Sequence, residues 1–303
     1  MISKRPEAID RLPRLPVRAG CAVALWLVVV LNAGAAAQVT NAVLAAELAR
    51  DSDHAGSAVE FRRLGLGAAE PSAKAGYFWA AAYEYEQSGR HDLAEKLLDR
   101  AEDAFPGLGL PGRVLRGESA ASAGAADEAE FHFRAILEAD APGEAKTWAA
   151  RRLAALRLTQ RDVSGAEAAL AASPAADPEG EEALRQYAAG RDKRPMVGGL
   201  LGIVPGLGYA YAGEYATGLR SLLLNSLFIF GMVNTADRDQ WGAFGVISFF
   251  EVTWFTGSIY GGVDASHRYN QRRIEDCTRE IDGTARFEPD LGVLPIVSLR
   301  FTF

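Results

Sequence analysis

Apolar positions change their spacing twice along this 303-residue chain, and each change predicts different surroundings. From Asn41 to about Tyr187, alanine, leucine and aromatic residues recur at helical spacing with almost no β-branched runs, the mark of helices that bury one stripe. From Pro195 to Val263 the chain becomes an apolar, glycine-laced block, reading PMVGGLLGIVPGLGYAYAG, SLLLNSLFIFGMV and WGAFGVISFFEVTWFTGSIYGGV. A block this apolar suits lipid, whereas the helices before it suit water. After Gly283 the period falls to two: Val297, Leu299, Phe301 and Phe303 alternate with Ser298, Arg300 and Thr302, which predicts a strand.

The clearest polar unit covers residues 73 to 107. Phe78, Ala82 and Tyr85 share one face of a first helix, Gly89 marks the turn, and Ala94, Leu98 and Ala101 face back from a second helix that stops near Pro106. This resembles a tetratricopeptide repeat, whose helix pair carries small residues at the crossing and a proline after the second helix. A more degenerate copy follows, with Gly117 at the crossing, Gly124 at the turn, Ala129 and Phe133 on the returning helix and Pro142 past its end. Arg113 stands where a large residue is expected. Asn41 to Arg50 with His54 to Leu64 would open the array, and Ala145 to Leu158 with Val163 to Ala172 would close it. A plain helical bundle is the alternative. Arrays of this kind bind a peptide or partner domain on a concave face. Tyr83, Tyr85, Arg116 and Arg134 are the candidate contacts, with interhelix packing as the competing role for Tyr85 and solvation for the arginines.

Within the apolar block, residues 197 to 212 are broken by Pro205 and by Gly198, Gly199, Gly202, Gly206 and Gly208. A straight span needs about 20 uninterrupted residues, so a kinked, re-entrant or interfacial segment is expected, with Tyr209 and Tyr211 at headgroup depth. The turn built on Pro205, Gly206 and Gly208 is structural, because no Lys, Ser or Thr stands at phosphate-loop spacing. Thr217 to Asn234 and Trp241 to Val263 predict two spans joined by a polar turn and packed as an antiparallel hairpin, with Arg220 snorkelling near one end. Asn225 and Glu251 lie at similar depth from that turn. A carboxylate in lipid is costly unless neutralised or paired, so a hydrogen bond between them is expected. His267 to Ile281 predicts a charged helix leaving the membrane. A third crossing by 197 to 212 would move the tail to the other side and suit Arg268, Arg272, Arg273 and Arg279; the glycines and proline weigh for the hairpin.

PGLGYAYAGEYATGLRSLLLN, continued by SIYGGVDASHRYNQRR, loosely resembles TM2-type domains, small bacterial membrane modules that place a glycine-rich turn before a two-helix hairpin. The resemblance covers under a third of the chain and departs from the pattern by lacking the turn acid and by its broken first segment. It implies membrane residence without a defined chemistry.

Composition narrows the function further. A net charge of −7 with 23% charged residues offers no basic face for nucleic acid. Residues 1 to 37 read as a signal peptide, with Lys4, Arg5, Arg11, Arg14 and Arg18 before an apolar run from Cys21 to Leu31 and a small-residue site at Ala35 to Ala37; an uncleaved anchor is the alternative. Cleavage would leave Cys277 alone, so no internal disulfide is expected. His54, His91, His132 and His267 are far apart, and no HExxH, clustered cysteine, nucleophile elbow or phosphate loop is present.

The expected fold is mainly α. A tetratricopeptide-like array over 38–175 leads through a linker with a short helix (176–195) to a glycine-rich transmembrane module (196–265), then a charged helix and strand-like tail (266–303). The expected function is a membrane-anchored scaffold or adaptor at the bacterial inner membrane, its repeats facing the periplasm and holding an envelope protein or peptide. It would need no cofactor and no enzymatic activity, and a homo-oligomer is compatible with it. The alternative function is a small oligomeric transport component using Glu251, and the alternative location, raised by the terminal phenylalanine, is the outer membrane.

Overall fold

The structure, a computed structural model, describes residues 42–283, 286–289 and 297–302. The signal-like segment with Cys21, and Phe303 of the alternating tail, lie outside the described residues. Two compact units part between Gly112 and Arg113, with Pro289–Ser298 grouped with the first and Leu299–Phe303 with the second.

The first unit is a run of antiparallel helices: α1 (42–50), α2 (His54–Gly67), α3 (Pro71–Gln87) and α4 (His91–Ala104), closed by a 3-10 turn at Pro106–Leu108. The helix starts are encoded locally. Asp53 accepts from the Gly56 amide at 2.9 Å, and Glu70 accepts from the Ser72 and Ala73 amides ahead of a proline at the first helical position. The middle helix, α3, packs against both α2 and α4, which is why its buried residues run around most of its circumference. Phe78, Ala82, Tyr85, Ala94, Leu98 and Ala101 are all buried, as the helical spacing predicts. The Trp79 indole donates to the Pro111 carbonyl at 2.8 Å, and its ring stacks on Tyr83. Among its described residues Glu84 is 1% exposed and bonds His54 Nδ1 at 2.8 Å.

The second unit continues with α5 (Leu110–Ser122), which crosses the division in its first turn, then α6 (Ala126–Glu138), α7 (Gly143–Thr159), α8 (Val163–Ala171) and α9 (Pro178–Ala189). Gly117 is the close crossing: a Cβ there would stand 2.6 Å from the Phe133 ring. Trp148 of α7 is fully buried and meets Phe133 edge-on at 5.6 Å. It also meets Phe287 and Phe301, both at 5.7 Å, from β1 (Arg286–Pro289) and β2 (Leu299–Thr302), which pair with each other. The alternating tail therefore forms the strand its period predicts and pairs with residues 286–289 of its own chain. The aromatic face of the tail finds Trp148, and Phe301 is 8% exposed.

Beyond α9 come α10 (Pro195–Leu201), α11 (Leu207–Tyr211), α12 (Tyr215–Ala236) and α13 (Trp241–Asp282). α13 is one unbroken helix of 42 residues, where the hydropathy pattern suggested a span ending at Val263 and a separate charged helix. No proline interrupts that stretch, and the Gly261-Gly262 pair at the change of polarity stays helical, packed where α10 and α11 cross α13. Its C-terminal part packs on α7 and α9.

Candidate functional site

The most unusual arrangement is the module of α10 to α13. Its first feature is a segment that enters and returns at one end. The amide of Asn270 on α13 brackets residue 193, accepting from the Lys193 N–H at 2.7 Å and donating to its carbonyl at 2.8 Å. The Arg194 N–H donates to the Tyr211 hydroxyl at 3.1 Å, which brings the start of α10 back to the end of α11. Glu214, just before α12, accepts from Arg268 at 2.9 and 2.8 Å and from Arg272 at 2.7 Å. Residues 193, 214, 268 and 270 thus share one end, and 195–211 is re-entrant. Only α12 and α13 then run the full length of the module.

Glycine permits this fold-back. Gly206 has φ +88°, and a Cβ there would fall 2.3 Å from the Gly218 carbonyl oxygen of α12. At the crossing of α10, α11 and α13, a Cβ on Gly198 would meet the Gly262 carbonyl at 2.3 Å, and one on Gly208 would meet the Gly198 carbonyl at 2.5 Å. Backbones touch there without side chains between them, the packing that small residues allow when burial from water is not the drive. Pro205 is half-buried in the turn between the two short helices.

Polar groups line the inside of the hairpin. The Gly206 N–H donates to Ser258 Oγ at 3.4 Å, Ser258 and Ser221 hydroxyls lie 3.3 Å apart, and Asn225 Nδ2 donates to the Ser221 carbonyl at 2.7 Å. Asn225 is fully buried and Glu251 is 7% exposed. The expected bond between them is absent from these contacts, because Asn225 turns its amide to its own helix one turn back. Asn225 Oδ1 and Glu251 Oε2 are both left without a hydrogen-bond partner.

The outside of the hairpin is apolar and open. Phe249 is 71% exposed, Phe230 68% and Val252 65%. In the most apolar 18-residue windows of α12 and α13, with mean hydropathies of 1.4 and 1.2, only 17% and 11% of residues are buried. A core helix of a water-soluble protein would bury most of such a window. Both helices are long and apolar enough to cross a membrane.

Charge collects at the re-entrant end. Arg191, Lys193, Arg194, Arg268, Arg272 and Arg273 gather there against Asp192, Glu214 and Asp264, while the far turn carries Asp237, Arg238 and Asp239. The Arg268 guanidinium holds the Glu214 carboxyl below the usual carboxylate range, and Glu214 in turn raises Arg268. Lys193 Nζ sits 4.8 Å from the Tyr211 ring centre and 5.3 Å from that of Tyr269.

Ion pairs then fasten this end to the polar helices. Arg273 donates to Asp192 at 2.6 Å and to the Tyr187 carbonyl. Arg152 of α7 pairs with both Glu118 of α5 and Asp282 at the end of α13. Burial pushes the Asp282 carboxyl up, against the pull of Arg152. Cys277 is buried, and its thiol is pushed up to about 11.

No family model matches the chain, and no curated protein or solved structure matches it.

Of the candidate contact residues on the polar helices, Tyr85 is 3% exposed inside the α2–α4 packing and Arg116 is half-buried on α5. Arg134 is exposed on α6, pairs with Glu130 at 2.8 Å, and lines an open groove of 660 Å³ with Leu153, Arg157, Asp162 and Ala169. Pro205, Gly206, Gly208, Asn225 and Glu251 come together in the α10–α13 module. Among the described residues no group of three or more His, Cys, Asp or Glu could hold a metal ion. Sequence reasoning missed Ser221, Ser258 and Asn270. For Ser258 and Asn270 the signal is a stripe of small and polar residues along α13, Glu251, Ser258, Gly262, Ser266 and Asn270, which are all buried. In an apolar helix such a stripe marks the protein-facing side.

Proposed function

We propose that the chain is a membrane-anchored helical-repeat scaffold or adaptor of the bacterial cell envelope. α12 and α13 are its hairpin anchor, and its tetratricopeptide-like helices hold a partner protein or peptide. The observation that carries this reading is the continuity of α13, whose apolar half exposes phenylalanines while its charged half buries Cys277 and Ile281 among α7 and α9. A joint without a flexible linker holds the α5–α9 layer at a set height above a bilayer, which suits presentation of a binding surface. The groove lined by Arg134 and Arg157 is the partner face we assign.

The signal-like segment supports an inner-membrane location with the helices in the periplasm. The basic end of the hairpin favours the opposite orientation, in which that end faces the cytoplasm. Protease access to the polar helices in intact spheroplasts separates the two: digestion from outside supports the periplasmic orientation, and protection contradicts it.

Co-purification from gently solubilised membranes tests the scaffold. One partner retained by the native chain and lost after Arg134→Glu with Arg157→Glu supports it; equal retention by both proteins removes the groove from the reading. Transport through Glu251 is the second reading, favoured by its buried, unpartnered Oε2. Glu251→Gln with intact assembly and lost phenotype would select it.

A further inference from the structure

A second groove, of 390 Å³, opens between α12 and α13 beside Tyr209 of α11, and the buried Ser221 and Ser258 hydroxyls are part of its lining. Its two ends differ in chemistry. Tyr209, Thr217 and Arg220 line the end toward the basic collar, and Leu224, Thr253 and Trp254 line the deep end. From Thr217 to Leu224 the helix descends about 10 Å at about 1.5 Å per residue. Gly257 leaves the wall between open: an added Cβ would meet nothing within 4 Å.

Arg220 stands apart from its neighbours. Arg268 and Arg272 are held by Glu214 and Arg273 by Asp192, but among the described residues no carboxylate pairs with Arg220, and no acidic residue lines the groove. Arg220 lies six residues past Glu214, about 9 Å deeper along the helix. A bare guanidinium below the collar is costly in lipid unless it snorkels or meets an anion. Thr217 and Tyr209 line the same groove, the Tyr209 hydroxyl lying over Gly261, and carry donors of the kind that complete a phosphate site with arginine.

We propose that this groove binds one anionic glycerophospholipid, with its phosphodiester on Arg220, Thr217 and Tyr209 and one acyl chain along Leu224 and Trp254. The assignment rests on α12 and α13 spanning a bilayer. A polar end facing the collar and an apolar end facing the bilayer interior match a lipid's own polarity along that axis. Free inorganic phosphate shares the headgroup chemistry but leaves the apolar end empty.

The test is native mass spectrometry of the full chain in mild detergent, titrated with dioleoyl phosphatidylglycerol or dioleoyl phosphatidylcholine. The native chain is expected to retain one phosphatidylglycerol with about tenfold preference over phosphatidylcholine, and Arg220→Gln to lose about tenfold in affinity, the scale of one charge-assisted contact. Gly257→Leu, which fills the groove into open space, should lose a similar factor, while Arg238→Gln at the far turn should change nothing. Equal retention by the native chain, Arg220→Gln and Gly257→Leu would overturn the proposal. So would displacement of the lipid by millimolar inorganic phosphate, or a two-chain species that Gly257→Leu dissolves without changing lipid retention. Flotation of the same preparations with phosphatidylcholine vesicles separates the two levels: a native chain that fails to float sinks the membrane reading, and one that floats with an indifferent groove sinks only this site.

Discussion

The two halves of α13 obey opposite rules within one helix. From Trp241 to Val263 it turns Phe249 and Val252 outward and Glu251 inward; from Asp264 to Asp282 it turns Arg272 and Arg279 outward and Ile281 inward. Backbone geometry does not change between them, so the difference lies in what each half faces. The first half buries small and polar residues against α10–α12 and leaves its apolar surface exposed, the pattern a helix of membrane length shows in lipid. The second buries apolar residues against α7 and α9, as a helix in water does. The lesson is that burial, read residue by residue, reports the solvent outside as well as the core inside.

Substitutions that break one half while sparing the other sharpen this contrast. The largest effect is expected at Gly262→Leu, whose Cβ would fall 2.3 Å from the Gly198 carbonyl and 3.0 Å from Gly208 Cα. Loss of the re-entrant packing should destabilise by more than about 3 kcal/mol, seen as a collapsed thermal transition in detergent. Gly242→Leu, in the same half but facing open space, should leave that transition in place. In the polar half, Ile281→Ala should cost about 3 kcal/mol through the cavity it leaves, read from denaturant midpoints.

A smaller, pH-dependent effect is expected from Asp282, whose carboxyl is raised above its ordinary value of 3.8 because burial outweighs the nearby Arg152 and Arg151. The folded chain therefore binds that proton more tightly than the unfolded chain does. The stability this confers is present at low pH, declines as pH rises from the ordinary value to the raised one, and is flat above it. Asp282→Asn should remove this decline from the stability profile. The smallest effect should come from Asn225→Ala, about 1 kcal/mol for the lost bond to the Ser221 carbonyl.

Much of the helical framework was legible in the sequence, because Phe78 and Tyr85 recur at helical spacing on α3 and Leu98 and Phe133 fall on the buried faces of their own helices. The two membrane-length helices were equally plain, since an apolar run needs no tertiary information to be recognised. What escaped was set by contacts distant in sequence. Asn270 looks like a solvated residue on a charged helix until Lys193, 77 positions away, is brought to its side chain. Asn225 and Glu251 invited pairing by depth alone, but depth does not report the rotamer that turns Asn225 to Ser221. The tail's alternation correctly indicated a strand, yet nothing in it pointed to residues 286–289 as partner or to Trp148 as the surface beneath.

The central claim is that α13 passes as one rod from the apolar module into the polar helices. Spin labels at positions 245 and 279, in a chain carrying Cys21→Ser and Cys277→Ser and placed in lipid nanodiscs, test it directly by electron–electron distance. A continuous helix predicts a single narrow distribution centred at about 51 Å, from about 1.5 Å rise per residue over the intervening positions. A broad or markedly shorter distribution would mean a hinge between the two halves, and would contradict the account.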